Sequence, residues 1–218
     1  MKIGILGGTF DPVHLGHLRT AEEIGHRLGL EKVYLVLSSS PPNKPNDPIA
    51  DFRHRLAMVR MAVGRAPLLD ALDLEGRRPG FSYSIETLQE LTRMFSPEPE
   101  LFFILGTDAF LEIETWKEYR RLFDYAHFVI IQRAGYETEE LEPFLRNVRD
   151  DIRKTGEPDS YVTSSGKSIR IMVSTFLEIS STGLREMVKN GDSIRFLVPE
   201  TVREYIMKKG LYTDYAAT

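Results

Sequence analysis

The sequence predicts an α/β domain of the doubly wound type, a parallel sheet covered by helices on both faces. Three observations carry this. Short apolar runs rich in β-branched residues (Ile3–Leu6, Val33–Leu37, Leu101–Leu105, His127–Arg133, Ile169–Val173) alternate with stretches whose apolar residues recur at helical spacing. The first run breaks at Gly7-Gly8, and a helix follows within a few residues. A later run ends in Gly106-Thr107-Asp108. Strand, glycine and short acceptor is the order in which such sheets meet a ribose hydroxyl.

Composition sets the outer limits. At 218 residues, 42% hydrophobic and 28% charged, one domain with a sizeable core is the expectation, spanning residues 1–212 with a frayed tail over 213–218. A net charge of −4 gives no global basic field, so no nucleic acid partner is expected. With no cysteine, disulfides, thiolate metal sites and thiol nucleophiles are excluded. No signal peptide and no bilayer-spanning run is legible, so no membrane partner is expected and a cytoplasmic location is the simplest reading.

Taken in order, Ile3–Leu6 reads as a buried strand and Gly7-Gly8 as a sharp turn allowing close backbone approach to a ligand. A helix is predicted from Pro12 or Val13, with Leu15, Leu18, Ala21, Ile24 and Leu28 on one face and Gly29 as its stop. Strand, glycine turn and helix N-terminus form an anion site, because backbone N–H groups and the helix dipole point at the ligand. His14 and His17 stand three apart at that mouth, on one helix face, where imidazole N–H groups can donate to phosphate oxygens. Val33–Leu37 is the second strand, and Ser38–Pro48, with four prolines, is a loop at its carboxyl end. Asp51–Val63 reads as a helix with Leu56, Val59, Met61 and Ala62 partly inward and Arg53, Arg55 and Arg60 on a solvated face. Leu68–Leu74 is a strand, and Phe81–Leu88 leads into a helix through Met94. After Leu101–Leu105, Asp108 could be either an N-cap or a ligand contact. His127–Arg133 is the next strand, with His127 structural. Glu139–Lys154 is a charged helix with one apolar side, and Thr155–Lys167 is a polar loop; together, 136–168 reads as a surface elaboration. A contact with a second copy along that apolar side is the lesser reading. Ile169–Val173 closes the strands. Ser180-Ser181-Thr182 opens a helix to Lys189, with Arg185 one turn in, an arrangement suited to clamping an anion. Thr201–Lys209 is the last helix, stopped by Gly210.

The run Gly7-Gly8-Thr9-Phe10-Asp11-Pro12-Val13-His14-Leu15-Gly16-His17 resembles the signature of nucleotidyltransferases with a His-x-Gly-His motif, and in its wording the bacterial nicotinate-nucleotide adenylyltransferases. The resemblance extends through Pro41-Pro42-Asn43-Lys44, Tyr83-Ser84, Gly106–Asp108, Trp116, Arg133, Ile179-Ser180-Ser181-Thr182-Gly183-Leu184-Arg185 and the closing Gly210-Leu211-Tyr212. Departures are Asn43 where the family has histidine, Ser84 for threonine, Ala134 for proline and Leu184 for isoleucine.

What the resemblance implies is a Rossmann-like single domain with C-terminal helices, transferring AMP from ATP to nicotinate mononucleotide, with Mg²⁺ held mainly by substrate phosphates. It implies catalytic roles for His14, His17, Lys44 and Arg185. Gly7, Gly8, Thr9, Phe10, Gly106, Asp108, Ile179, Ser180, Ser181 and Thr182 would meet ATP. Tyr83, Ser84, Trp116 and Arg133 would hold the mononucleotide. Asp11, beside Pro12, reads as structural. Nicotinamide-mononucleotide or phosphopantetheine adenylyl transfer, and a nucleotide sensor without turnover, are the competing readings.

Overall fold

The computed structural model describes residues 1–40, 50–97, 99–132 and 141–213. Its strands are β1 (Lys2–Gly8), β2 (Lys32–Leu37), β3 (Leu69–Leu72), β4 (Glu100–Gly106), β5 (His127–Gln132), β6 (Arg153–Lys154), β7 (Ser160–Val162) and β8 (Ser168–Val173). Its helices are α1 (Leu15–Leu28), α2 (Phe52–Val63), α3 (Ser84–Met94), α4 (Thr107–Leu111), α5 (Tyr119–Tyr125), α6 (Leu141–Val148), α7 (Ser181–Lys189) and α8 (Glu200–Lys209). Short 3₁₀ turns at Leu74–Arg77 and Ile113–Thr115 complete it.

The strands form one sheet in the order β3-β2-β1-β4-β5-β8-β7-β6. The first six of these run parallel, with Ile3 opposite Lys32 on one side and Leu101 on the other. Chain order runs outward one way from β1 through β2 to β3, and the other way through β4, β5 and β8. The reversal between β1 and β4 is a topological switch point, the crevice where open α/β sheets bind ligands.

Burial on both faces explains why these strands are almost continuously apolar. In β4, Leu101, Phe103 and Leu105 point to one face, and Phe102 and Ile104 to the other. The first face packs against α3, α4, α5 and α6 through Leu88, Leu91, Phe110, Phe123 and Leu145. The second packs against α1, α2, α7 and α8 through Ile24, Met58, Val59, Leu184, Val202 and Ile206.

Three expectations need correction. The polar stretch Thr155–Lys167 is not a simple loop: Ser160–Val162 pairs antiparallel with β8, and β6 pairs antiparallel with β7. The otherwise parallel sheet thus gains an antiparallel margin that covers the edge of β8. The charged helix predicted over Glu139–Lys154 is shorter, Leu141–Val148. Its apolar side, Leu141, Leu145 and Val148, is buried in the chain's own core, so it is not a surface for a second copy. In α2, Met61 is exposed, whereas Arg55 is buried at 1% exposure. Arg55 stands three and four residues before the core positions Met58 and Val59, so its helical phase points inward.

Candidate active site

A cavity of about 460 Å³ opens over the carboxyl ends of β1, β4 and β5 and the segment from β8 into α7. Thr9, Phe10, His14, His17, Gly106, Asp108, Ile179, Ser180, Ser181, Thr182 and Arg185 are all on its wall. Gly7 and Gly8 are not; they are the last two residues of β1. The turn expected at the glycines is instead made at Thr9-Phe10, and Phe10 takes the left-handed conformation with φ of 49°. A side chain in that region costs on the order of 1 kcal/mol or more and persists where packing over-determines it. Here the Phe10 ring is buried and meets His17 edge-on at 5.0 Å. Gly8 is what admits that ring, since a Cβ at Gly8 would lie 2.9 Å from it.

His14 is the N-cap of α1, two or so residues later than the predicted start. Its backbone N–H donates to Nδ1 of His17 at 3.3 Å. That bond assigns Nδ1 of His17 as an acceptor and puts its proton on Nε2. The two rings stack at 3.6 Å. Burial lowers the pKa of His14 to about 4. Burial first, and the His14 ring second, hold His17 well below the ordinary histidine value. Both imidazoles are therefore neutral near pH 7, and each offers one N–H. Nδ1 of His14 is buried with no partner in the protein. Gly16, between the two, leaves room for the ring, because a Cβ there would stand 3.0 Å from that same Nδ1.

The helix start at α7 fastens to this turn. Oγ of Ser180, the N-cap, accepts from the Gly183 N–H at 3.1 Å. Ser181 Oγ donates to the Pro12 carbonyl at 3.0 Å, and Arg185 Nη1 to the Asp11 carbonyl at 2.9 Å. Arg185 Nη2 donates to Thr182 Oγ1 at 3.3 Å. Of the five donors a guanidinium carries, Arg185 spends these on the protein while the residue lines the cavity.

Asp11 is structural, as expected, and central. It is 1% exposed. Its carboxylate accepts from the Tyr212 hydroxyl at 2.6 Å and from the Ala50 N–H at 3.2 and 3.3 Å, with Arg185 Nη1 at 3.8 Å. Burial raises its pKa, and Tyr212, Ala50, Arg185 and Arg55 oppose that rise.

Gly106 ends β4 and caps α4, so Asp108 lies in the first turn rather than at the cap. Thr107 Oγ1 donates to the Ile131 carbonyl at 3.1 Å and pins this turn to β5. A Cβ at Gly106 would meet nothing within 4 Å, so the space above it is open.

Tyr83, Ser84 and Trp116 lie outside this cavity wall. Tyr83 caps α3 and Ser84 is its first residue. Trp116 packs edge-on to Phe103 at 6.2 Å. Its neighbour Lys117 lies 4.4 Å over the Tyr83 ring and pairs with Glu86 at 2.7 Å, so the two predicted mononucleotide elements adjoin. Lys44 and Arg133 lie outside the described residues. Among the described residues, no group of three or more His, Cys, Asp or Glu side chains could hold a metal ion.

Sequence reasoning missed Arg55, which donates to the carbonyls of Thr9, Ser38, Ser39 and Ala50. It also missed Glu75, buried beneath α3, which accepts from Thr87 Oγ1 at 2.7 Å. Burial raises the pKa of Glu75 while Thr87, Ser82 and Arg78 oppose the rise. The phase of Arg55 along α2 was a usable signal; Glu75, in an irregular stretch, offered none.

Comparison with known proteins agrees with this geometry. Residues 5–187 match the family described as cytidylyltransferase-like. A probable nicotinate-nucleotide adenylyltransferase of Desulfatibacillum aliphaticivorans is 46% identical over 218 residues, covering 97% of this chain and 100% of that one. One from Geotalea daltonii is 42% identical over 215 residues, covering 98% and 99%. The solved Plasmodium falciparum nicotinic acid mononucleotide adenylyltransferase, complexed with NaAD, matches 97% of each chain with a TM-score of 0.74. At 20% identity, that likeness speaks for the fold. Similarity of this extent, over full lengths, makes the chain a member of the nicotinate-nucleotide adenylyltransferases, a family of nucleotidyltransferase enzymes.

Proposed function

We propose that this chain joins ATP and nicotinate mononucleotide into deamido-NAD, releasing pyrophosphate, as a cytoplasmic step of NAD biosynthesis. The observation that carries this is the stacked His14–His17 pair lining one cavity together with the helix start at Ser180–Arg185. A phosphate oxygen of the mononucleotide attacks the α-phosphorus of ATP in line. The bond to the β-phosphate oxygen breaks, and pyrophosphate leaves with the electron pair. A phosphate monoester is already anionic near neutral pH, so the step needs no general base.

Catalysis is then positioning and charge stabilisation. The neutral imidazoles of His14 and His17 donate to the α- and β-phosphates. The backbone at Thr9 and Phe10 borders the transferred group. Arg185 and Lys44 offset charge on the leaving pyrophosphate, beside the N-terminal turn Ile179–Thr182. Gly106 and Asp108 take the ribose. Tyr83, Ser84, Trp116 and Arg133 receive the mononucleotide. A divalent ion, expected as Mg²⁺ and carried in with ATP, would supply further charge neutralisation. A helix N-terminus prefers a carboxylate to a neutral amide, which favours the acid over nicotinamide at Ser84.

The test is pyrophosphate release from ATP and Mg²⁺ with nicotinate mononucleotide and nicotinamide mononucleotide as parallel acceptors. Strong preference for the acid is expected. Equal use would discard the Ser84 pocket, and no release with either would overturn the assignment.

A further inference from the structure

Arg55 enters no step above, yet it is the largest fully buried side chain of the described residues. A buried charge is costly, and an apolar residue of similar volume would fill the space without that cost. The guanidinium has no ion-pair partner within 4 Å among the described residues. Backbone carbonyls hold it instead: Nε reaches Ala50 at 2.9 Å, Nη1 reaches Thr9 at 2.8 Å and Ser38 at 2.7 Å, and Nη2 reaches Ser39 at 3.3 Å. Asp11 faces it through one residue, taking the Ala50 N–H while Arg55 takes the Ala50 carbonyl.

Each of these peptide groups leads somewhere. The Thr9 carbonyl shares its peptide with the Phe10 N–H, at the strained turn on the cavity wall. The Ser38 and Ser39 carbonyls share theirs with the Ser39 and Ser40 N–H groups, which both donate to Ser82 Oγ, at 2.9 and 3.2 Å. Ser82 returns its own N–H to the Ser40 carbonyl at 3.0 Å. Tyr83 and the start of α3 follow directly. One rigid, planar cation therefore holds the turn on the phosphate side of the site directly, and reaches the entry to α3 through the Ser38–Ser40 peptides that grip Ser82. A cation on a carbonyl also polarises its peptide and strengthens the N–H at the other end as a donor.

We infer that Arg55 is a positioning residue: it fixes the spacing between the Thr9-Phe10 turn and the Ser82–Ser84 helix start, and so between the two reacting substrates. The inference rests on the proposed adenylyl transfer. In-line attack tolerates little error, and a misplacement of about 1 Å costs on the order of 100-fold in rate. Lysine cannot substitute, because a point charge on a flexible stem does not span carbonyls on three segments.

The test compares Arg55→Lys, Arg55→Met and Ser82→Ala with the parent chain. Thermal melting reports folding, calorimetry reports the Kd of each substrate alone, and pyrophosphate release reports kcat. Arg55→Lys should fold and bind each substrate singly with near-parental affinity, while kcat falls on the order of 100-fold. Ser82→Ala should lower kcat in the same sense, and by much less when added to Arg55→Met, since the two act along one path. Unchanged kcat in a folded Arg55 variant would overturn the inference. So would a fall of kcat and both affinities in step with the melting temperature, the mark of a merely structural role. Should Arg55→Met fail to fold, Arg55→Lys and Ser82→Ala decide alone. An inactive parent chain would sink the adenylyl-transfer reading and this inference with it, whereas an active parent with indifferent variants sinks only the inference.

Discussion

Protonation decides what His14 and His17 can do. A charged imidazole would bind phosphate more tightly in the ground state as well as in the transition state, whereas a neutral N–H is a directed donor. Burial makes both rings neutral, with His14 near 4. His127, which accepts the Ser168 N–H at 2.9 Å, is held near 4 chiefly by burial too. We expect NMR titration of the free protein to show these three rings uncharged at pH 5.5, where an ordinary histidine is mostly charged. Ordinary titration near pH 6.5 would mean wet, cationic rings and a different electrostatic role. The sign for stability follows. The unfolded chain takes up protons below about pH 6.5 that the folded rings refuse until about pH 4, so their contribution is present above that window and lost as pH falls through it. Asp11 runs the other way: its pKa is raised, so its contribution is fully present below the unfolded carboxylate value and is lost as pH rises through the folded one. The histidine pair was legible in the sequence through its spacing after a glycine turn. Its neutrality was not, because burial is made by segments far away in the chain.

At the scale of the element, α1 shows how a local rule yields to its setting. Alanine exceeds glycine in a helix by about 1 kcal/mol, so Gly16→Ala on an open face would stabilise. Here the added Cβ would stand 3.0 Å from Nδ1 of His14, whose ring is buried and stacked on His17. The ring has little room to give. We expect Gly16→Ala to lower pyrophosphate release at least on the order of tenfold while far-UV circular dichroism stays unchanged. A parental rate would mean that the ring accommodates the methyl group. Apolar runs and caps located β1, β2, β4, β5, β8, α7 and α8 to within a residue or two. The antiparallel pair β6–β7 escaped because its strands are two and three residues long and largely polar, and they are defined by pairing, β7 with β8 and β6 with β7, rather than by a pattern of their own. Gly7 and Gly8 misled for a related reason: glycine permits a turn, and here it serves the strand end and the Phe10 ring instead.

Across the whole molecule, the site is a junction of segments that meet only in the finished fold. Ser181 and Arg185 hold the carbonyls of Pro12 and Asp11, and Tyr212 holds the Asp11 carboxylate. The alternation of strands and helices foretold a crevice over the strands' carboxyl ends, and the switch between β1 and β4 provides it. A structural Asp11 was legible beside Pro12, and the phase of Arg55 along α2 was a signal left unused, but their partners were not legible, since Tyr212 and Ala50 meet Asp11 only in the finished fold. Removing the Tyr212 hydroxyl leaves a buried carboxylate short of one donor. Tyr212→Phe should therefore cost about 1.5–3 kcal/mol in urea denaturation, the range for a hydrogen bond to a charged group. A change close to zero would mean that water replaces the hydroxyl.

The bond between Asp11 and Tyr212 also puts a clock on the protein's synthesis. A ribosome makes Asp11 early and Tyr212 201 residues later. Chains grow at about 5–20 residues per second, so for roughly ten seconds or more the turn that will face ATP exists without the hydroxyl that steadies it. Arg185 follows Asp11 by 174 residues, so it too is made near the end of that interval. The Asp11 turn thus gains both of these partners only once the chain carries its C-terminal helices.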